Sequence, residues 1–174
     1  MSGAAPSRWR SLILAGLLGS GVFLVVAFTA SDYGVTWDEP AYFHASDLHI
    51  QWIVGFFDDA VDRQLGRSLD DKRIQAAWHW DPYHVPHPPF SRIVSGVTEA
   101  ALAPVLDKFV AYRLGPALFF ALLATVMYLW MSEMFGPRAG LFSAASLLLI
   151  PNLFGFAHIA VTDMPLAKIG RAHV

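Results

Sequence analysis

Cysteine is absent from this sequence of 174 residues, so the chain can form neither disulfide bonds nor thiolate metal sites. Charged side chains are also scarce, since Asp, Glu, Lys and Arg together make up only 15% of the residues. The net charge of −2 provides no basic surface of the kind that binds nucleic acid. Hydrophobic residues instead reach 55%, which is more than soluble domains usually contain and indicates a membrane protein.

Three apolar stretches are long enough to cross a bilayer, which takes about 20 residues in a helix. They cover residues 11–30, 114–131 and 139–161. Arg8 and Arg10 precede the first stretch, so a signal peptide is an alternative, but the apolar core is longer than such peptides usually have. We therefore predict an all-α, polytopic membrane protein with three transmembrane helices, and we expect Pro151 to kink the third.

The positions of the basic residues predict how the chain is oriented in the membrane. Arg8 and Arg10 place the N-terminus in the cytoplasm, and Arg138 places the connection between the second and third spans there too. Residues 31–112 would then form a large outer loop, and the chain after the third span would emerge on the same outer side.

Two adjacent carboxylates, Asp38 and Glu39, follow the first span within the segment TWDEPAY at 36–42. Charges so near a hydrocarbon boundary are costly, so they are usually kept for function. A structural explanation is also available, because Thr36 and Glu39 match the S/T-x-x-E capping box, with Asp38 as an alternative cap. A helix should begin here, and its apolar face predicts that it lies on the membrane surface or packs on other outer segments. That face consists of Ala41, Ala45, Leu48, Trp52, Ile53 and Phe56.

Residues 75–89, QAAWHWDPYHVPHPP, combine aromatic, His and Pro side chains in a segment that we predict to be extended. Such a segment suits a substrate site, and it equally suits the aromatic belt at the membrane headgroups. The sequence requires no cofactor, but a divalent cation is one alternative here, because imidazole and carboxylate groups are metal ligands. The candidate ligands are His79, Asp81, His84 and His87, for which hydrogen bonding within an aromatic cluster is the competing role.

Residues 90–109 should form another helix, with Arg92 and Glu99 on its polar side. At the centre of a bilayer, each of these charges would cost about 2.5–3.5 kcal/mol. This cost favours a helix at the membrane interface over a fourth span, which would reverse the topology of everything after it.

Four segments resemble motifs of the protein O-mannosyltransferases. TWDEPAYFHAS at 36–46 resembles the Asp-Glu motif that follows the first span in that family. HPPFSR at 87–92 resembles its His-Pro-Pro-Leu-Gly-Lys motif. YRLGPALFFALLATVMYLW at 112–130 resembles the span that comes next, and AHIAVTDMPLA at 157–167 resembles a segment that carries a further outward-facing Asp.

The resemblance implies a GT-C glycosyltransferase in a membrane, with the bacterial plasma membrane as the expected location. Such an enzyme takes a mannose-like sugar from a polyprenyl-phosphate donor and passes it to a protein, lipid or glycan acceptor on the non-cytoplasmic side. Asp38 would be the catalytic base, Glu39 an acceptor-binding residue and Asp163 a second carboxylate. His87 and Arg92 would bind the donor phosphate, and Arg92 suits that role better because it is always charged.

The chain departs from the family in two ways. Residues 90–92 are Phe-Ser-Arg where the motif has Leu-Gly-Lys. Residues 169–174, IGRAHV, look like a translated sequencing adapter, with a genuine basic tail as the alternative. We therefore expect residues 168–174 to be artefactual and residues 1–167 to be the N-terminal part of a longer enzyme that is inactive as a fragment.

Two other functions remain open from the sequence. One is a non-enzymatic polytopic protein, such as part of a transporter or of an assembly subunit. The other is a metal-binding module built on the His-rich segment. A transporter should bury charges within its spans. The predicted spans contain no Asp, Glu, Lys or Arg, which favours the enzyme.

Overall fold

The computed structural model describes residues 8–79 and 89–161, and these residues form seven α-helices. The helices are α1 (Arg8–Thr29), α2 (Glu39–Val61), α3 (Asp71–Trp78), α4 (Phe90–Leu102), α5 (Lys108–Phe135), α6 (Pro137–Leu148) and α7 (Pro151–Phe156). A single turn of 3-10 helix, Ala30–Asp32, extends α1. No strand occurs in this part of the chain, which confirms the all-α prediction.

By length and composition, two of the described helices could cross a membrane. They are Arg8–Asp32, which includes the 3-10 turn, and Lys108–Phe135. A helix rises 1.5 Å per residue, so α5 is about 42 Å long, which exceeds the roughly 30 Å of a bilayer's hydrocarbon core. Because α5 begins at Lys108 rather than at Leu114, it also contains Arg113, which lies outside the span predicted from the sequence.

The third predicted span, 139–161, is not a single helix. The chain leaves α6 after Leu148 and enters α7 at Pro151, and these helices have only 12 and 6 residues. Proline disfavours helical angles in the residue before it, and Ile150 has the extended angles φ −87° and ψ 103°. The helix is therefore broken before Pro151 rather than kinked at it. A third membrane crossing stays a prediction.

The helices α1 and α6 both pack against α5, and glycines allow the close approach. A Cβ added at Gly19 of α1 would lie 2.2 Å from Thr125 Oγ1, and one added at Gly140 of α6 would lie 2.6 Å from the Tyr128 carbonyl oxygen. Small residues at such contacts let helix backbones come close, which increases their van der Waals attraction. The apolar core consists of Val22, Val26, Leu114, Ala117, Phe120, Ala121, Ala124, Leu147 and Ala157.

The helices α2, α3 and α4 form a second layer, in which α4 packs on α5, α2 packs on α4, and α3 packs on α2. Of the predicted apolar face of α2, only Ala45 is buried, and the buried side of this helix carries Phe43, Ser46 and His49 instead. Trp52 stacks on Phe56 and makes an edge-to-face contact with Trp78 of α3. Packing on other segments, one of the two alternatives from the sequence, therefore covers Trp52, and a position of α2 on the membrane surface stays a prediction.

One local prediction in this layer was wrong. The chain is helical to Trp78 rather than extended from residue 75, in the helix α3 that Asp70 caps by accepting a hydrogen bond from the Lys72 N–H at 3.0 Å. The helix α4 packs its small polar side inward, since a Cβ at Gly115 of α5 would lie 2.6 Å from Ser95 Oγ and leaves no room for larger groups. With 13 residues, α4 is too short for a fourth span.

Candidate functional site

The start of α2 carries the two carboxylates that the sequence singled out. Glu39 is the first residue of the helix and Pro40 the second, a position where proline costs no hydrogen bond. The Thr36 N–H donates to Glu39 Oε2 at 2.9 Å, and the Thr36 hydroxyl donates to the same oxygen at 3.3 Å. The first of these bonds is the one that the Glu of a capping box makes, so Glu39 fixes the residues just before the helix.

The Glu39 carboxylate is completely buried and pairs with Arg113 of α5. Arg113 Nε donates to Oε1 and Nη2 donates to Oε2, both at 2.8 Å. Two parallel bonds of this kind form the bidentate geometry that suits a guanidinium and a carboxylate. The backbone N–H of Ala160 also donates to Oε1, at 3.1 Å.

The other N–H groups of Arg113 bind the connection between α1 and α2. Nη1 donates to the carbonyl oxygens of Ala30 and Tyr33, both at 2.7 Å, and Nη2 donates to that of Gly34 at 2.9 Å. All five N–H groups of the guanidinium thus have an acceptor, which offsets the cost of burying its charge. We call Glu39, Arg113 and the groups that they bind the ion-pair hub.

The hub also decides the charge of Glu39. Burial by itself would raise the pKa of Glu39, but the hydrogen bonds from Arg113 and from the N–H groups of Thr36 and Ala160 outweigh it, and the pKa lies below the ordinary value of 4.5. Glu39 is therefore ionised at neutral pH, with every oxygen in use. A carboxylate in this state is suited to holding structure together.

Asp38 has the opposite environment, although it is the neighbour of Glu39 in the chain. Its side chain is exposed and makes no capping hydrogen bond to α2. Only its backbone carbonyl takes part in the turn, by accepting from the N–H groups of Ala41 and Tyr42 at 3.1 and 3.2 Å. The carboxylate of Asp38 is consequently not a helix cap, which removes the structural explanation that the sequence left open for it.

His158 packs beside the hub and is fully buried. Its ring stacks on Tyr33 with 4.2 Å between the ring centres. Nδ1 lies 2.7 Å from the Phe154 carbonyl oxygen, and Nε2 lies 2.7 Å from the Thr29 hydroxyl. A carbonyl only accepts, so Nδ1 donates to Phe154. The Thr29 hydroxyl has one proton, and it lies 2.7 Å both from Nε2 and from the Val25 carbonyl oxygen. This histidine therefore ties α7 to the end of α1.

Arg92, the predicted phosphate ligand on α4, lies against α2. Its guanidinium carbon is 6.0 Å from the centre of the Tyr42 ring. Its charge also acts on His49, another residue of α2. The pKa of His49 is lowered to about 4, mainly because the ring is buried and less because of the Arg92 charge. The hydrogen bond between the ring and the Ala77 carbonyl raises this pKa but does not offset the other two causes. Tyr42 lies one turn beyond Asp38 along the chain, and Arg92 of α4 lies against it.

Most of the remaining predicted ligands lie outside the residues that the structure describes. His87 and Asp163 lie outside the described ranges, as do Asp81 and His84, so their phosphate, carboxylate and metal roles stay predictions. His79 is exposed at the end of α3. Within residues 8–79 and 89–161, no group of three or more His, Asp or Glu side chains could hold a metal ion.

Arg113 is the residue that the sequence reasoning missed. It stands between the outer loop predicted over 31–112 and the span predicted over 114–131, and the sequence predicted no role for it. A signal was available, because an Arg next to an apolar helix and an acidic pair just past another apolar helix are charges that each need a partner. Spacing could not reveal the pairing, since 74 positions separate Arg113 from Glu39.

Comparison of the chain with protein-family models, curated proteins and solved structures finds no match. The resemblance to the protein O-mannosyltransferases therefore stays a prediction, carried by the motifs quoted from the sequence.

Proposed function

We propose that this chain is part of a membrane glycosyltransferase that moves a mannose-like sugar from a polyprenyl-phosphate donor to an acceptor. The observation that most supports this proposal is the contrast at the start of α2. An exposed carboxylate without a capping role, Asp38, stands beside a buried, fully bonded ion pair. Both lie where α1 ends and α5 begins, and these are the two helices of membrane length.

The reaction needs two kinds of group. The bond between the sugar carbon and the phosphate oxygen breaks, a new bond forms to the acceptor hydroxyl, and the proton of that hydroxyl goes to a base. Phosphate leaves as an anion, so positive charge near its oxygens helps and a strong general acid is not needed. In this proposal Asp38 is the base and Arg92 contacts the phosphate, while His87 and Asp163 join them as the motif resemblance implies.

A transporter is the main alternative, because Arg113 is a buried charge within a helix of membrane length. A charge that marks a transport path must be able to bind the transported group. All five donors of Arg113 are already bonded to the protein. The charge therefore has no donor left for a transported ion, and the enzyme remains the favoured proposal.

The decisive experiment is Asp38→Asn in the protein expressed from the complete reading frame that contains these residues. We expect transfer of labelled mannose from a polyprenyl-phosphate donor to endogenous acceptors in isolated membranes to fall about 10²–10⁴-fold, the usual contribution of a positioned base. Asp58→Asn is the matched control, because Asp58 is also an exposed aspartate but lies near the far end of α2 and should not matter. Near-normal transfer by the Asp38 variant, with equal membrane insertion, would rule out Asp38 as the base.

A further inference from the structure

We propose, building on the role proposed for Asp38, that Arg113 and Glu39 are positioning residues: the ion-pair hub sets where the Asp38 carboxylate stands relative to the two helices of membrane length. The resemblance assigns Glu39 a contact with the acceptor, whereas the hub gives it a role that acts through its neighbour.

The hub holds Asp38 from both sides along the chain. Glu39 Oε2 accepts two hydrogen bonds from Thr36, and Arg113 binds the carbonyl of Gly34. Glu39 itself is bound by Arg113 on the other side of Asp38. Between these fixed points only Trp37 and Asp38 remain, so the backbone of Asp38 has little freedom while its side chain points into solvent.

The hub also joins elements that are distant in the chain. Through Arg113 it connects the end of α1 and the start of α2 to α5, with Ala30 and Glu39 as the bonded residues. Through the Ala160 N–H it adds the segment that follows α7. A carboxylate next to this junction is held in place relative to all of these elements at once.

The carboxylate of the hub has no capacity left for a substrate. Oε1 of Glu39 accepts from Arg113 and Ala160, and Oε2 accepts from Arg113 and Thr36. None of the Glu39 surface is exposed to solvent. An acceptor hydroxyl could reach this carboxylate only by breaking one of these bonds.

The geometry further explains why this pair is Glu with Arg. A planar guanidinium offers five donors in a fixed arrangement, whereas a lysine ammonium offers three on a flexible stem. Arg113→Lys therefore keeps the charge but cannot bind Glu39 and the carbonyls of Ala30, Tyr33 and Gly34 together. This variant separates the positional role from the charge.

A spin label at residue 38 tests the positional part without any transfer assay. These 174 residues contain no cysteine, so Asp38→Cys provides a unique attachment site for a nitroxide once any cysteine elsewhere in the complete protein is replaced by serine. The labelled protein in lipid nanodiscs is studied by electron paramagnetic resonance. We expect a restricted spectrum with the native hub and a clearly more mobile one with Arg113→Lys. Glu39→Gln serves as the second hub variant if the lysine variant folds poorly. A label at exposed Gln51, farther along α2, is the control and should not change.

Kinetics in the complete protein, with Asp38 intact, test the functional part. We expect Arg113→Lys and Glu39→Gln to lower kcat about 10–100-fold, because displacing a reacting group by about 1 Å can cost 10²-fold, and to leave the acceptor KM within about twofold. An unchanged label spectrum in both variants would overturn the positioning role. So would a raised acceptor KM with kcat preserved, which is the result that a direct contact of Glu39 with the acceptor gives. Absence of transfer in the unmodified protein, with the label results as expected, would refute the proposed function and leave the ordering by the hub intact.

Discussion

The two layers of the molecule bury different kinds of side chain. Where α1, α5 and α6 meet, the buried side chains are apolar, and glycines let the helices approach closely. The layer of α2, α3 and α4 buries many polar groups instead: Ser46, His49, Asp59, Ser68, Ser91, Ser95 and Thr98. The hub lies on the boundary between them. Apolar contacts hold helices together without orienting a particular atom, whereas hydrogen bonds and ion pairs are directional, so the second kind of burial suits a site.

Removing Arg113 should have the largest effect on stability, because it removes the hydrogen bonds that join the two layers at the hub. Arg113→Ala leaves the Glu39 charge buried without its partner, which typically costs about 3–5 kcal/mol. Replacing both residues by leucine should cost less than the single change, since no charge then remains buried. Urea unfolding of the protein in mild detergent measures both variants. A double variant that is less stable than Arg113→Ala would contradict the account of the hub as a compensated charge pair.

Acid should destabilise the polar layer through His49. The pKa of His49 is about 4 in the folded protein, below the ordinary histidine value of 6.5, mainly because the ring is buried and less because of the Arg92 charge. Between pH 6.5 and pH 4, His49 binds a proton in the unfolded chain but stays neutral in the folded protein. The stability that is fully present above pH 6.5 is therefore lost progressively as the pH falls to 4. The shift corresponds to about 3 kcal/mol.

The measurement compares the native protein with His49→Phe, which keeps an aromatic ring against Trp78. Between pH 7 and pH 4 the native protein should lose about 3 kcal/mol more unfolding free energy than the variant, by the same linkage argument. Equal losses in the two proteins would show that His49 is not held neutral.

A methyl group in the glycine contacts should disturb the apolar layer by a smaller amount. Gly140→Ala places a Cβ 2.6 Å from the Tyr128 carbonyl oxygen, and overpacking of this kind costs about 1–3 kcal/mol. Gly16→Ala in α1 is the control, because no atom lies within 4 Å of its Cβ and alanine favours a helix. Thermal unfolding distinguishes them, and equal midpoints would mean that α6 does not approach α5 this closely.

The smallest expected effect compares two aspartates that each precede a helix. Asp107 caps α5 by accepting from the N–H groups of Phe109 and Val110 at 2.9 and 3.4 Å, so Asp107→Ala should cost about 1 kcal/mol. Asp38 makes no such bond, so Asp38→Ala should change stability by less than about 0.5 kcal/mol. Chemical unfolding curves measured side by side check this, and similar losses in the two variants would restore the capping role to Asp38.

Local patterns predicted much of the fold because their causes are local. The long apolar runs indicated α1 and α5, and the capping-box spacing of Thr36 and Glu39 indicated the start of α2. Pro151 predicted a disturbance of the helix near Ile150, which has extended angles, although the sequence did not show that the helix would end there. These features depend on neighbours within a few residues.

The parts that the sequence did not predict depend on distant partners. The buried side of α4 is decided by Gly115 of α5, which accepts only a small neighbour such as Ser95. The partner of Glu39 is decided by the packing of α5 against the end of α1, which places Arg113 beside it. Periodicity describes one helix at a time, so neither contact could be read from it.

The bond between Glu39 and Ala160 also bears on the order of assembly during synthesis. These residues are 121 positions apart, which at about 5–20 residues per second takes a ribosome about 6–24 s. Until Arg113 emerges, Glu39 is a charge without its partner, and the last hydrogen bond of the hub must wait for Ala160. The site around Asp38 is therefore completed late, after both helices of membrane length have been made.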